Sequence, residues 1–264
     1  MNLSRKQMLD EMGLSPQWQR RDRPAVAREA SHAAAPTAAA LPPGEQMARP
    51  ENAASPPLAD AQRAAEIAQF DWAALRQSIA ACRACGLCAQ RKQAVSGVGD
   101  EAAKWLFIGE APGAEEDAQG EPFVGQAGKL LDAMLAAIAL KRGQDVYIAN
   151  AVKCRPPANR TPEAAEMAAC APYLKRQIAL IAPKLIVLLG RAAVQAVLGE
   201  ERSLASLRGK PLAYHDGERS IPVLVTYHPA YLLRTLPDKS KAWEDLCRAR
   251  TLMREMTADS SASS

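Results

Sequence analysis

At 264 residues and 48% hydrophobic content, the chain can close one well-cored domain with residues left over for an appendage. A formal charge of +4 permits a polyanionic partner without demonstrating one. No apolar run approaches the length of about eighteen residues that a membrane span needs, and the opening MNLSRKQMLD lacks the apolar core of a secretory signal. No membrane association and a cytoplasmic location are therefore expected.

In chain order, residues 1–22 come first. Between Arg5 and Arg21, Met8, Leu9, Met12 and Trp18 can form a short apolar face, which predicts a conditional helix acting as a docking peptide. With its basic residues, Gly13-Leu14, Trp18 and Arg20-Arg21, the segment resembles the N-terminal peptide with which the psi subunit of the bacterial replicative polymerase grips the clamp loader. That resemblance implies the clamp loader or another replisome component as partner. From about Arg23 to Asp60 the chain is mostly Ala, Pro, Ser and scattered charges, without large apolar residues at regular spacing. A disordered linker is assigned to residues 23–69. The globular part runs from near Phe70 to near Met256, taken as a domain over 70–257, with a disordered tail at 258–264.

Within the domain, four short apolar runs read as buried strands: Trp105 to Ile108, Val146 to Ile148, Leu185 to Leu189 and Val223 to Thr226. Helical patterns alternate with them at Gly128 to Leu140, Pro162 to Ile181 and Ala192 to Leu198, and a closing helix spans Lys241 to Met256. This order predicts an α/β three-layer sandwich around a mainly parallel four-stranded sheet. The strands run into Gly109-Glu110-Ala111, Asn150, Gly190-Arg191 and His228-Pro229 respectively. In a parallel sheet those ends share one edge, where ligands of open α/β folds bind.

Six cysteines in a reducing compartment read as metal ligands, redox centres or buried small hydrophobes rather than disulfides. Cys82 and Cys85 form a C-x2-C step, and Cys154 and Cys170 can complete a four-thiolate set suited to [4Fe-4S] or zinc. The wide second pair favours the cluster. Cys85 and Cys88 form an overlapping C-x2-C, which leaves Cys88 as an alternative ligand. Cys247 falls in the apolar pattern of the last helix and reads as core.

The blocks from Gly109 to Gly113 with Glu115-Glu116-Asp117, from Gly120 to Gly128, from Asn150 to Arg160, and from His228 to Arg234 resemble the family 4 uracil-DNA glycosylases, in the family's order. The match covers roughly residues 75 to 250. It implies a monofunctional glycosylase that flips uracil out of DNA and hydrolyses its N-glycosidic bond, leaving an abasic site. It also implies a [4Fe-4S] cluster on Cys82, Cys85, Cys154 and Cys170, and a monomer acting on uracil-containing DNA.

The chemistry of base excision gives the remaining residues roles, because a base must leave the stack for a closed pocket before it can be cut. Phe123 resembles the aromatic that stacks on uracil. Asn150 offers a donor and an acceptor on one planar amide, matching the O4 acceptor and N3–H donor of uracil and mismatching cytosine. Backbone groups of Gly109, Glu110 and Ala111 resemble further uracil contacts. His228, alone of three histidines in following a buried strand, is expected to stabilise the charge developing on uracil O2. Ala111 stands where the best-known uracil glycosylases carry a water-orienting aspartate, so Glu110, Glu116 and Asn159 remain candidates for that role. Tyr231, Leu232 and Leu233 are candidate wedges for the gap left by the flipped base. Lys153, Arg155, Arg160 and Arg234 are candidate phosphate contacts.

Two other classes fit less of the chain. A catalytically silent DNA-binding module has no need of Phe123, Asn150 and His228 together. An iron-sulfur redox protein would show reversible redox without glycosylase activity.

Overall fold

The sheet grows from strands whose residues are almost all buried, so both faces must be covered by other elements. The computed structural model describes residues 58–217 and 219–262, with side chains described for 60–217 and 219–258. The expected docking peptide and the linker up to residue 57 lie outside the described residues. Strands β2 (Trp105–Gly109), β3 (Val146–Asn150), β4 (Leu185–Leu189) and β6 (Arg219–Thr226) lie parallel in the order β3-β2-β4-β6. These are the four expected strands, the last one longer at its start.

Among the described residues the sheet has six strands rather than four. Antiparallel β1 (Val98–Gly99) and β5 (Leu212–Asp216) flank the parallel core. Both escape an apolar-run reading: β1 is two residues long, and β5 is exposed or half-buried throughout. Edge strands of this kind close the sheet with short or polar sequences.

Period-two alternation divides the core into two layers. Trp105, Phe107, Ile148, Val187 and Leu224 face helices α4 (Gln126–Ala137), α8 (Pro229–Arg234) and α9 (Lys239–Ala262) through Leu131, Met134, Leu232, Trp243 and Leu246. On the opposite face Leu106, Ile108, Ala149, Ile186 and Val225 meet α5 (Ala164–Ile181) and α6 (Arg191–Leu198) through Leu174, Ile178, Ala193 and Val194. Helices cover both sides, giving the expected three layers.

Two boundaries move. Residues 58–67 lie inside the stretch assigned to the linker, yet form helix α1 (Leu58–Ile67), and Ile67 is buried beside Leu75 and Ile79 of α2 (Trp72–Ala81). Its alanine-rich sequence has high helix propensity, and it is seated by Ile67 together with Arg63, which donates to Ala169 O (2.6 Å) and lies over the Tyr173 ring. At the other end α9 continues to Ala262, into the stretch read as tail. Among the described residues no helix is long and apolar enough to cross a membrane.

Chain connectivity places the site. From β2 the chain passes to β3 on one side, then to β4 on the other. A crevice opens where successive connections leave a strand in opposite directions, at the carboxyl ends of β2, β3 and β4.

Candidate active site

Gly109 ends β2 directly opposite Asn150 at the end of β3. A β-carbon on Gly109 would stand 2.6 Å from Asn150 Oδ1 and 2.5 Å from Phe123 Cζ, so only glycine lets the amide and the ring converge. Asn150 is 2% exposed, and its Oδ1 is buried without a hydrogen-bond partner. A buried acceptor left unpaired costs about 1–3 kcal/mol, a cost offset only when something else donates to it. The amide faces a cleft of about 660 Å³ that is also lined by Glu110, Ala111, Phe123 and His228. Such a volume holds a small ligand with an attached group.

Phe123 is buried and adopts φ 55°, an uncommon conformation for an aromatic residue. Strain of this kind persists only where the surroundings over-determine it. Arg142 Nη1 donates to Pro122 O (2.7 Å) and Nη2 to Phe123 O (2.8 Å). The Glu116 carboxylate accepts the amides of Val124 (3.0 Å) and Gly125 (3.1 Å) through Oε1, and that of Gly113 (3.0 Å) through Oε2. The loop therefore holds its ring rigidly toward the cleft, 5.4 Å from the His228 ring.

His228 follows β6 and caps α8, with Nδ1 accepting the Ala230 amide (3.2 Å). An imidazole that accepts at Nδ1 carries its proton on Nε2. Burial, and then the Arg234 cation, pull its pKa down to about 4, with Glu116 opposing. At neutral pH the ring is uncharged and retains one N–H to donate. Gly190, at φ 90°, makes room for it, since a β-carbon there would lie 3.0 Å from His228 Cβ.

The three acidic or amide candidates separate. Glu116 spends both oxygens on backbone amides, so it shapes the Phe123 loop. Asn159 is exposed at φ 55° and accepts from Arg155 Nε (2.7 Å) through Oδ1. Glu110 is half-buried in the cleft wall, where burial pushes its carboxyl up and a hydrogen bond with Thr161 partly offsets that.

Behind β3, the side chains of Cys82, Cys85, Cys88, Cys154 and Cys170 line one small pocket with Arg91, Lys153 and Tyr173. Arg91 Nη1 donates to Cys154 Sγ (3.0 Å), and the Lys153 amide to Cys170 Sγ (3.3 Å). Burial pushes the Cys170 thiol up to about 11 and those of Cys154 and Cys85 upward. Among the described residues no three Cys, His, Asp or Glu side chains are grouped for a single metal ion. Convergent thiols with N–H donors and two cations nevertheless form a donor set suited to an anionic thiolate centre. Cys247 lies apart, half-buried against the α9 face of the core as expected.

Residues 96–247 match the model of the uracil DNA glycosylase superfamily. The chain belongs to this superfamily. It is 43% identical over 182 residues to the Type-4 uracil-DNA glycosylase of Sulfurisphaera tokodaii, covering 67% of this chain and 83% of that one. Identity to the Type-4 enzyme of Archaeoglobus fulgidus is 45%, covering 60% and 80%. For that of Thermotoga maritima it is 42%, covering 66% and 90%.

In this superfamily member several expected DNA contacts are displaced. Lys153 is 1% exposed, with Nζ donating to Asn150 O (2.8 Å) and Gln177 Oε1 (2.6 Å), so it reaches no phosphate. Leu232 is fully buried under α8, whereas Leu233 is 42% exposed beside it, because adjacent helical positions point about 100° apart. Leu236, 56% exposed, adds a second apolar point that the sequence reading overlooked. Arg160 lines the cleft but is held by both oxygens of Glu166 (2.8 and 2.7 Å). Tyr231 stacks on Tyr227 at 5.1 Å and donates its hydroxyl to Asp238 (2.7 Å). Arg234 is exposed at the cleft, as is Arg191 from the start of α6, while Arg155 stands outside the cleft wall. Arg142 was also overlooked, since no local pattern marks a surface arginine that folds back onto two carbonyls.

Proposed function

We propose that this chain excises uracil from DNA, hydrolysing the N-glycosidic bond of a flipped deoxyuridine and leaving an abasic site. The observation that carries the reading is the orphaned Oδ1 of Asn150, aimed into a cleft shared with Phe123 and His228. A flipped uracil stacks on Phe123, donates N3–H to Asn150 Oδ1 and accepts at O4 from the same amide. Cytosine would leave that acceptor unpaired, which a dry polar pocket penalises heavily. The relatives' name, Type-4 uracil-DNA glycosylase, agrees with this substrate.

As the glycosidic bond lengthens, negative charge gathers on uracil O2 and positive charge on the sugar. Neutral His228 donates Nε2–H to O2, an interaction stronger in the transition state than in the ground state. Glu110 holds the attacking water, being the carboxylate of the cleft wall whose oxygens are not consumed by backbone amides. Gly109 and Ala111 contribute backbone contacts to the base. Arg155, Arg234 and the outer edge of Tyr231 hold the backbone flanking the lesion, and Leu233 fills the vacated stack.

Cys82, Cys85, Cys154 and Cys170 hold a [4Fe-4S] cluster, with Cys88 the fifth thiol at the same pocket. A cluster held there would link the Cys82 loop, the Cys154 loop and α5 structurally. Residues 1–21 act as a docking peptide for the clamp loader or another replisome component. Their resemblance to the psi peptide supports this, and a pull-down unaffected by deleting residues 1–21 would sink it.

Incubation of the purified full-length chain with a labelled uracil oligonucleotide, followed by alkali, tests the main reading. Strand cleavage at uracil that disappears in His228→Ala is expected. No cleavage by the wild-type, cluster-loaded protein would leave the silent DNA-binding alternative. A brown protein with visible charge-transfer absorption supports the cluster, and a colourless one refutes it.

A further inference from the structure

Lys153 is a fully buried lysine that takes no part in the catalytic roles above. Its Nζ donates to the main-chain carbonyl of Asn150 (2.8 Å) and to Gln177 Oε1 (2.6 Å), both neutral acceptors. Lys153 also lines the small pocket of Cys154 and Cys170, and among the described residues no carboxylate is given as a partner of its Nζ. A buried ammonium with only neutral partners is costly, and a Met or Leu of similar volume would pack there without that cost. The same residue's amide donates to Cys170 Sγ at 3.3 Å. Lys153 therefore bridges the thiol pocket and the end of β3.

The far end of the bridge matters because of what Asn150 lacks. Its Oδ1 has no protein partner, so no hydrogen bond to that atom orients it before a base arrives. Its orientation comes from packing beside Phe123 over Gly109 and from its backbone, which is gripped by parallel pairing with Gly109 on one side and by the Lys153 ammonium on the other. Gln177 carries the grip onward, as its Nε2 donates to Ser96 O (2.5 Å) next to β1.

We propose that Lys153 is a positioning residue for base recognition, its amide held on Cys170 Sγ at the thiol pocket and its ammonium fixing the Asn150 main chain, so that the thiol pocket is coupled to uracil affinity. This rests on the uracil reading of the cleft and deepens it. Loss of this tether should weaken base binding by about tenfold. Phosphate contacts, on other elements, should be spared.

The test uses full-length, cluster-loaded protein and the variant Lys153→Met, which keeps nearly the volume of the side chain and removes its charge. Four quantities are compared with wild type: affinity for free uracil, affinity for a duplex with a stable abasic-site analogue, single-turnover excision rate, and visible absorbance per chain. Uracil affinity and excision rate should fall about tenfold, with abasic-duplex affinity within about twofold. Uracil affinity within about twofold of wild type overturns the proposal, as does an equal loss of uracil and abasic-duplex affinity, which marks general destabilisation. Should Lys153→Met fail to fold, Gln177→Leu removes the second tether of the ammonium and leaves Lys153 in place. Weaker uracil binding by about threefold is then expected, and unchanged binding overturns the coupling. Wild-type protein that fails to release uracil from DNA defeats the glycosylase reading itself, whereas an active wild type with an indistinguishable Lys153→Met defeats only the positioning role.

Discussion

The carbonyl of Phe123 occupies the space that a β-carbon on Gly128 would need, well inside van der Waals contact. Gly128 lies in the first turn of α4, where alanine would ordinarily favour the helix by about 1 kcal/mol. Here the gain is outweighed, because the added carbon meets backbone atoms that Arg142 holds in place. Gly128→Ala is expected to lower kcat/KM for uracil DNA by about 10- to 100-fold through a displaced Phe123, as misplacement near 1 Å can do. Wild-type excision kinetics with this variant would show that the loop relaxes freely.

Glu116→Gln separates positioning from water activation. Glutamine offers one acceptor oxygen to three amides that the carboxylate satisfies. A loss of about 1–3 kcal/mol of stability is expected in chemical denaturation, together with slower excision. The acid-side loss that Glu110 sets should remain, whereas Glu110→Gln should remove that loss at little cost in stability and leave only the fall near pH 4 that protonation of His228 imposes.

His228 sets a sign for pH dependence. Its pKa is lowered from 6.5 to about 4 in the folded chain, so between those values the unfolded chain binds the extra proton. The stability contributed by the neutral ring is complete above about pH 6.5, and falls as pH drops to about 4, by up to about 3 kcal/mol. Denaturation midpoints measured from pH 7 to 4 should fall less steeply in His228→Ala. His228 should give excision no step near pH 6.5, and its contribution should be lost only as Nδ1 protonates and releases the Ala230 amide. His228→Ala should slow single-turnover excision by about 100- to 1,000-fold.

Leu232 and Leu233 predict opposite outcomes from one substitution. Leu232→Ala opens a cavity in a closed core, with an expected cost of about 2–5 kcal/mol in thermal or denaturant unfolding. Leu233→Ala should leave stability within about 0.5 kcal/mol of wild type and weaken excision from duplex more than from single strands. A single-strand defect of equal size would remove Leu233 from the role of wedge.

Serine at Cys82, Cys85, Cys154 or Cys170 should abolish visible absorption and leave loosely folded protein, since together they tie three separate segments of the chain to the pocket. Cys88→Ser should keep both colour and activity. Loss of colour in Cys88→Ser alone would exchange it for one of the other four.

The four central strands and the helices between them were legible because burial on both faces demands continuous apolar runs, a signal that needs no partner to be read. The edge strands were not, because β5 pairs through its backbone while its side chains stay half in water. Asn150, Phe123 and His228 were legible as types placed after strands or in a loop. The employment of Glu116 was not, since a carboxylate that holds amides and one that holds water look alike in one dimension.

What the chain of residues determined by itself was which groups lie at one sheet edge: parallel strands carry their ends to a common side, whatever the loops do. Tertiary structure decided which of those groups remain free to act. Lys153, Glu116 and Arg160 are spent on carbonyls, amides and a carboxylate, Leu232 is enclosed, and Asn150 Oδ1 is left buried and unpaired in the cleft wall. Whether a polar atom has a partner depends on residues far away in sequence brought within about 3 Å, and only the folded packing sets that distance.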